Sequence, residues 1–185
     1  MAAGAQEGFG VTLVDAFRDE NASVISSSFI RSLLAEGDVA HAAGLLGYRY
    51  TVEAEVIGGK KLGRTLGYPT ANMRLPQEAE LRNGIYAVRF RRADGSLYDG
   101  VASFGRRPTV DSDGEALLET FVFDFAGDLY SEVCAVSFFG HLRDELKFDG
   151  LEPLMVQMRE DEQEARALLA GVQPLSEIDR QINFV

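Results

Sequence analysis

Hydrophobic positions recur in two different periods along the chain, and the change of period marks its organisation. Residues 9–14 (FGVTLV) read as a strand. Ser26, Ser27 and Ser28 then offer hydroxyl caps to a helix through Ile30, Leu33 and Leu34, which Gly37 ends. Asp38 can cap a second short helix through Ala42 and Leu46, closed by Gly47. From Tyr50 the period falls to two: Val52, Ala54 and Val56 alternate with Thr51, Glu53 and Glu55. Tyr86, Val88 and Phe90 alternate with Ala87, Arg89 and Arg91, Asp94-Gly95 makes a hairpin turn, and residues 97–103 return. Residues 117–125 and 133–139 supply two more strands. Short strands without intervening helices predict a mainly β fold, a small closed antiparallel barrel of Greek-key type that leaves no exposed edge. Leu151, Leu154, Met155, Met158, Ala165, Leu168 and Leu169 then fall on one helical stripe that should pack on the barrel, with Asp149 and Glu152 resembling a capping box. The expected division is a strand-helix-helix unit over 1–47, a barrel with its C-terminal helix over 48–170, and a tail over 171–185.

Composition narrows the classes. The 185 residues are 46% hydrophobic and 25% charged, as in ordinary globular proteins. A net charge of -11 speaks against a nucleic-acid partner, because phosphate backbones are held by broad basic surfaces. The single cysteine, Cys134, can form no intrachain disulfide. No window has the length and apolarity of a membrane-spanning helix, and the N-terminus has no signal-like apolar run, so the sequence predicts a cytoplasmic protein without a membrane partner.

Against this acidic background, residues 57–73, IGGKKLGRTLGYPTANM, gather four glycines with Lys60, Lys61 and Arg64. Gly58, Gly63, Arg64 and Thr65 nearly spell a Walker A loop. Such a loop must open directly into a helix, and Gly67 and Pro69 forbid one. Glycines can still cradle a phosphate through successive amides, or form no more than a solvated turn, and they do not decide between the two. Thr70 and Asn72 point the same way if the segment is extended, offering two oxygen ligands; both could equally satisfy local backbone groups. In LLETFVFDF, Glu119 shares parity with Phe121, Phe123 and Phe125. A carboxylate among aromatics suits a general base, whereas a strand-end glutamate merely reaches water. His41 and His141 have no ligand or catalytic partner at a recognisable spacing.

Four segments in order, GGKKLGRTLGYPTANM, VASFGRRPTV, LLETFVFDFAGDLYSE and FFGHLRDELKFDGLEPL, resemble the signature segments of the riboflavin kinase family over residues 48–170. The resemblance implies a small antiparallel barrel with a C-terminal helix, and transfer of the ATP γ-phosphate to the 5′-hydroxyl of riboflavin, giving FMN. VISSSFIRSLLAEGDVAHAAGLLG resembles the end of the FMN adenylyltransferase module that precedes the kinase in bacterial bifunctional FAD synthetases. The sequence contains no HxGH motif of that module, so FAD formation by this chain is not expected, and a longer parent carrying the module is.

By resemblance, Thr70 and Asn72 bind Mg²⁺ and nucleotide, and Gly58, Gly59, Lys61, Gly63, Arg64 and Gly67 form the phosphate cradle. Glu119 is the base. Arg143, Phe148, Asp149, Leu151 and Glu152 bound the flavin pocket. Tyr68, Ser131 and Asp144 depart from the usual pattern, at positions where Phe, Gly and Pro are common in the family. Two rivals stand beside the kinase: a flavin- or nucleotide-binding barrel without turnover, and an oligonucleotide-binding barrel, against which the acidity argues.

Overall fold

The structure, a computed structural model, describes residues 25–59, 68–109 and 112–185. The strand expected over 9–14 lies outside these. Helix α1 (Ser27–Glu36) begins where Ser26 accepts a hydrogen bond from the Phe29 amide at 3.1 Å, and α2 (Val39–Leu46) where Asp38 accepts one from the His41 amide at 3.1 Å. Both stop at a left-handed glycine, Gly37 and Gly47.

Six strands follow: β1 (Thr51–Ile57), β2 (Thr70–Arg74), β3 (Gly84–Arg91), β4 (Leu97–Thr109), β5 (Ser112–Val122) and β6 (Val133–Arg143). They close into a barrel in the order β1-β2-β5-β4-β3-β6, with every pairing antiparallel. β3, β4 and β5 are neighbours in turn, and β6 returns to lie beside β3, which is a Greek key. The return connection, residues 123–132, crosses one end of the barrel and becomes important below.

Alternation along each strand fills the interior. Met73, Tyr86, Val88, Phe90, Ala102, Phe104, Leu118, Val136 and Phe138 are fully buried in one cluster. Cys134 belongs to it, and burial pushes its thiol up to about 12. Opposite-parity residues Ala87, Val101, Phe121, Phe123 and Phe139 make a second, outer cluster with Ala165, Leu168 and Leu169 of α3 (Leu151–Ala170). Glu119 therefore shares a face with aromatic residues because α3 covers that face of the barrel.

Several elements depart from the sequence pattern. β5 ends at Val122, because Asp124 takes a left-handed backbone (φ 55) and turns the chain away before Phe125. β4 runs on to Thr109. The expected capping box is absent: α3 starts after Gly150 with no side-chain cap, and Leu151, at the head of the apolar stripe, is 54% exposed. The tail carries a further helix, α4 (Glu177–Asn183). Asp179 on α4 is fully buried, receives the Arg49 guanidinium and backbone amide, and so ties the tail to the start of the barrel. Phe184 adds a ring beneath Arg49 and Arg89, with guanidinium carbons 5.6 and 4.6 Å from its centroid.

Candidate functional site

β2 is extended, so Thr70 and Asn72 point to the same side, away from the interior residues Ala71 and Met73. The Asn72 amide donates to the Thr70 carbonyl at 3.1 Å and to the Thr70 hydroxyl at 3.4 Å, which holds the two side chains together. Asn72 is only 5% exposed. Gly59 lies against it: a Cβ at residue 59 would sit 2.7 Å from the Asn72 side-chain carbon, so any larger residue would push the amide out of place.

Pairing extends this into a row. Asn72 stands opposite Glu119 on β5, and Glu119 opposite Ser103 on β4, while Thr70 faces Phe121. Residues in register on one face are near neighbours, so an amide, a carboxylate and a hydroxyl stand side by side across three strands. Glu119 is half-buried at the edge of the aromatic patch beneath α3.

Beside the row opens a cleft of about 560 Å³. Thr70, Asn72 and Gly59 form one side; inward-facing Val56, Ala71 and Val122 form the floor; Phe125, Asp128, Leu129 and Tyr130 of the Greek-key return form the far wall. Residues 125–130 belong to the signature segment LLETFVFDFAGDLYSE but are assigned no role from sequence, because they follow no period and carry no charged motif of known spacing.

The wall is firmly built. At its start, Arg166 of α3 forms a forked pair with Asp124 at 2.9 and 3.1 Å and stacks over Phe123, 4.2 Å from the centroid. At its end, Arg92 donates to Glu132 at 2.9 Å, and the second Glu132 oxygen accepts the Ala93 amide at 3.0 Å. Hydrogen bonding from Arg92 holds the Glu132 carboxyl below the usual carboxylate range, and Arg166 does the same for Asp124. Phe125 is held edge-on to Tyr98 at 5.2 Å, with Arg92 5.5 Å above its ring.

The other residues expected by resemblance stand apart from this cleft or lie outside the described residues. Gly58 and Gly59 end the β1 side of the loop, whereas Lys60, Lys61, Gly63, Arg64 and Gly67 lie outside the described residues. Arg143 closes β6, and its guanidinium is held by Asp161 of α3 at 2.7 and 2.6 Å. Phe148 is half-buried, Asp149, Leu151 and Glu152 are exposed, and none of the four lines the cleft. His141 is in contact with Tyr86 (ring centroids 5.0 Å apart), and burial together with Arg82 lowers its pKa.

The fold and site together define a closed antiparallel barrel with a cleft onto which Thr70 and Asn72 open, Glu119 standing next to Asn72 in the sheet. Its family follows from comparison: the riboflavin kinase model (Flavokinase) matches residues 46–169, most of the chain, which belongs to that family. Similar proteins are bifunctional riboflavin kinase/FMN adenylyltransferases. That of Haemophilus influenzae is 42% identical over 147 residues, covering 80% of this chain and 47% of the relative. That of Listeria monocytogenes is 39% identical over 166 residues, covering 89% and 52%. The chain spans about half the length of the curated relatives it matches.

Two solved structures are also similar. A macrolide-efflux protein from Streptococcus pneumoniae superposes with a TM-score of 0.77 at 34% identity, covering 89% of this chain and 54% of that one. Riboflavin kinase from Trypanosoma brucei superposes with a TM-score of 0.50 at 21% identity, covering 67% and 82%, and supports the barrel fold. Among the described residues no helix is long and apolar enough to cross a membrane.

Proposed function

We propose that this chain phosphorylates riboflavin at its 5′-hydroxyl with ATP, and that the row Asn72-Glu119-Ser103, which meets the cleft at Asn72, is where the transfer occurs. The observation that carries this reading is the register of β2 against β5, which sets a carboxylate directly beside the Thr70-Asn72 pair. The cleft suits the nucleotide: an apolar floor and an aromatic wall for a base, and Gly59 with Thr70 and Asn72 on the side that leads into the glycine-rich segment.

Mg²⁺ fits this donor set. The Asn72 amide nitrogen is turned to Thr70, which leaves its carbonyl oxygen and the Thr70 hydroxyl as neutral ligands, and Mg²⁺ takes most of its shell from phosphates and water. When bound, the ion neutralises charge on the phosphates. Thr70 and Asn72 then orient the nucleotide, and Glu119 accepts the proton of the 5′-hydroxyl as its oxygen bonds to the γ-phosphorus and the bond to the ADP oxygen breaks.

Riboflavin would lie along residues 143–152, where Leu146 and Leu151 each hold apolar surface in solvent at 54% exposure. A flat, largely apolar ring system can cover such a ledge. The buried thiol of Cys134 suits a reducing compartment, and we place the activity in the cytoplasm.

Incubating the chain with riboflavin, ATP and Mg²⁺ and following FMN by chromatography tests the reading. FMN and ADP should appear in equal amounts. Tight flavin binding without FMN would favour the non-catalytic alternative.

A further inference from the structure

Arg143 lies in the segment assigned to riboflavin, yet its side chain is turned the other way. Nε and Nη2 reach the two oxygens of Asp161 at 2.7 and 2.6 Å, and Nη1 donates to the Asp144 carbonyl at 2.9 Å. The pair is well buried, with side chains 19% and 5% exposed. One turn earlier on α3, Gln157 donates to Asp161 at 3.1 Å. All three guanidinium nitrogens are thus used within the protein.

We propose that Arg143 and Asp161 form a positioning clasp that aims residues 144–150 at the catalytic row, so that Arg143 acts on riboflavin without touching it. This rests on the function proposed above. The segment leaves the barrel at the end of β6 and enters α3, and the clasp fastens the end of β6 to the middle of that helix. The corner it creates is placed against the connection before β3 and against β4: Asp144 accepts from Arg82 at 2.7 Å, and the Glu145 carboxylate lies so close to Gly105 of β4 that a Cβ there would be 2.8 Å from its oxygen. Gly105 is two residues from Ser103, the β4 member of the row. A shift of the corner therefore moves the apolar ledge relative to Glu119.

The form of the clasp fits aiming better than simple stabilisation. A buried ion pair adds little net stability over a well-packed apolar pair, because desolvation offsets the attraction. A forked arginine-carboxylate pair does fix direction, since two parallel hydrogen bonds allow one relative orientation. Displacement of a substrate by about 1 Å can cost on the order of a hundredfold in rate.

Three variants test this on the 185-residue chain: Asp161→Asn, Arg143→Lys, and the milder Gln157→Leu, which keeps the ion pair and decides the matter if the other two do not fold. Riboflavin affinity is read by flavin fluorescence and MgADP affinity by calorimetry. Riboflavin binding should weaken about tenfold in Asp161→Asn and Arg143→Lys and by less in Gln157→Leu, while MgADP binding changes less than about twofold. Equal weakening of both ligands, or lower thermal stability with both affinities intact, overturns the clasp. Hydrogen exchange on the ligand-free chain gives a second readout: amides of 145–150 should exchange faster in the variants and those of 125–130 should not. If wild type fails to bind riboflavin, the proposed function falls, and the exchange pattern alone still decides whether the clasp orders the segment.

Discussion

The two segments proposed to flank the site of transfer are built in opposite ways. The cleft wall, residues 123–132, is gripped at both ends by arginines from other elements, Arg166 at Asp124 and Arg92 at Glu132. It is also stitched to β1, where the Ser131 amide donates to Val56 and the Val56 amide to Glu132, both at 2.9 Å. The flavin-side segment is gripped at its first corner, by Arg143 and Arg82, and then presents Leu146 and Leu151 to water. Apolar side chains left half in solvent beside a site mark where a ligand adds the missing contacts. On the proposed function, one wall is formed before its substrate arrives, and the other is completed by it.

The largest effect should come from the row between the walls. Glu119→Gln keeps size and hydrogen-bonding reach but cannot take a proton, so kcat should fall by about 10² to 10⁴, roughly 3–5 kcal/mol of barrier. Binding of riboflavin and of MgADP should stay within a factor of about three. A normal kcat in a folded Glu119→Gln chain would move the chemistry away from the row.

The walls themselves separate at the next scale. Phe125→Ala removes the ring that Tyr98 and Arg92 hold in place, and should weaken MgADP by about tenfold, or ~1.4 kcal/mol, with riboflavin unaffected. Leu146→Ser with Leu151→Ser should do the reverse, weakening riboflavin several-fold with almost no loss of melting temperature, because both side chains are already exposed. Nucleotide loss in the leucine variant would erase the distinction between the walls.

Much of the barrel could be read from alternation alone, because its strands are half-buried and a period of two follows directly. Tyr86, Val88 and Phe90 lie in the interior as their parity requires. Glu119 was legible for the same reason, and its aromatic neighbours made sense once α3 was seen to cover them. The cleft wall was not, since its position depends on Arg92 and Arg166, and the second of these is 42 residues from its partner Asp124. Helix α4 is seven residues long and is held by the bond between Asp179 and Arg49, 130 positions apart, which no local pattern can announce. Arg143 shows a subtler limit: its segment was recognisable, but its direction is set by Asp161 on the far side of the connection.

The smallest expected effect probes how the cleft wall is fastened. Hydrogen bonding from Arg92 depresses the Glu132 carboxyl, and hydrogen bonding from Arg166 depresses that of Asp124. A carboxyl whose pKa is lower in the folded than in the unfolded chain stabilises the fold fully above its unfolded pKa, and that stabilisation disappears as pH falls through the lower, folded value. Wild type should therefore lose part of its stability below about pH 4, the ordinary carboxylate range. Arg92→Gln removes the cause at Glu132, so its melting temperature should lie slightly below wild type at pH 7 and converge on it by about pH 2. The gap at pH 7 should be no more than a few degrees, because a pair that keeps part of its exposure is still largely screened. At pH 7, MgADP affinity should also be weaker in Arg92→Gln, since Arg92 holds Phe125 against the cleft, whereas riboflavin affinity should not change. A gap that stays constant from pH 7 to pH 2 would mean that Arg92 supports the wall by packing on Phe125 alone, and that its pairing with Glu132 adds nothing.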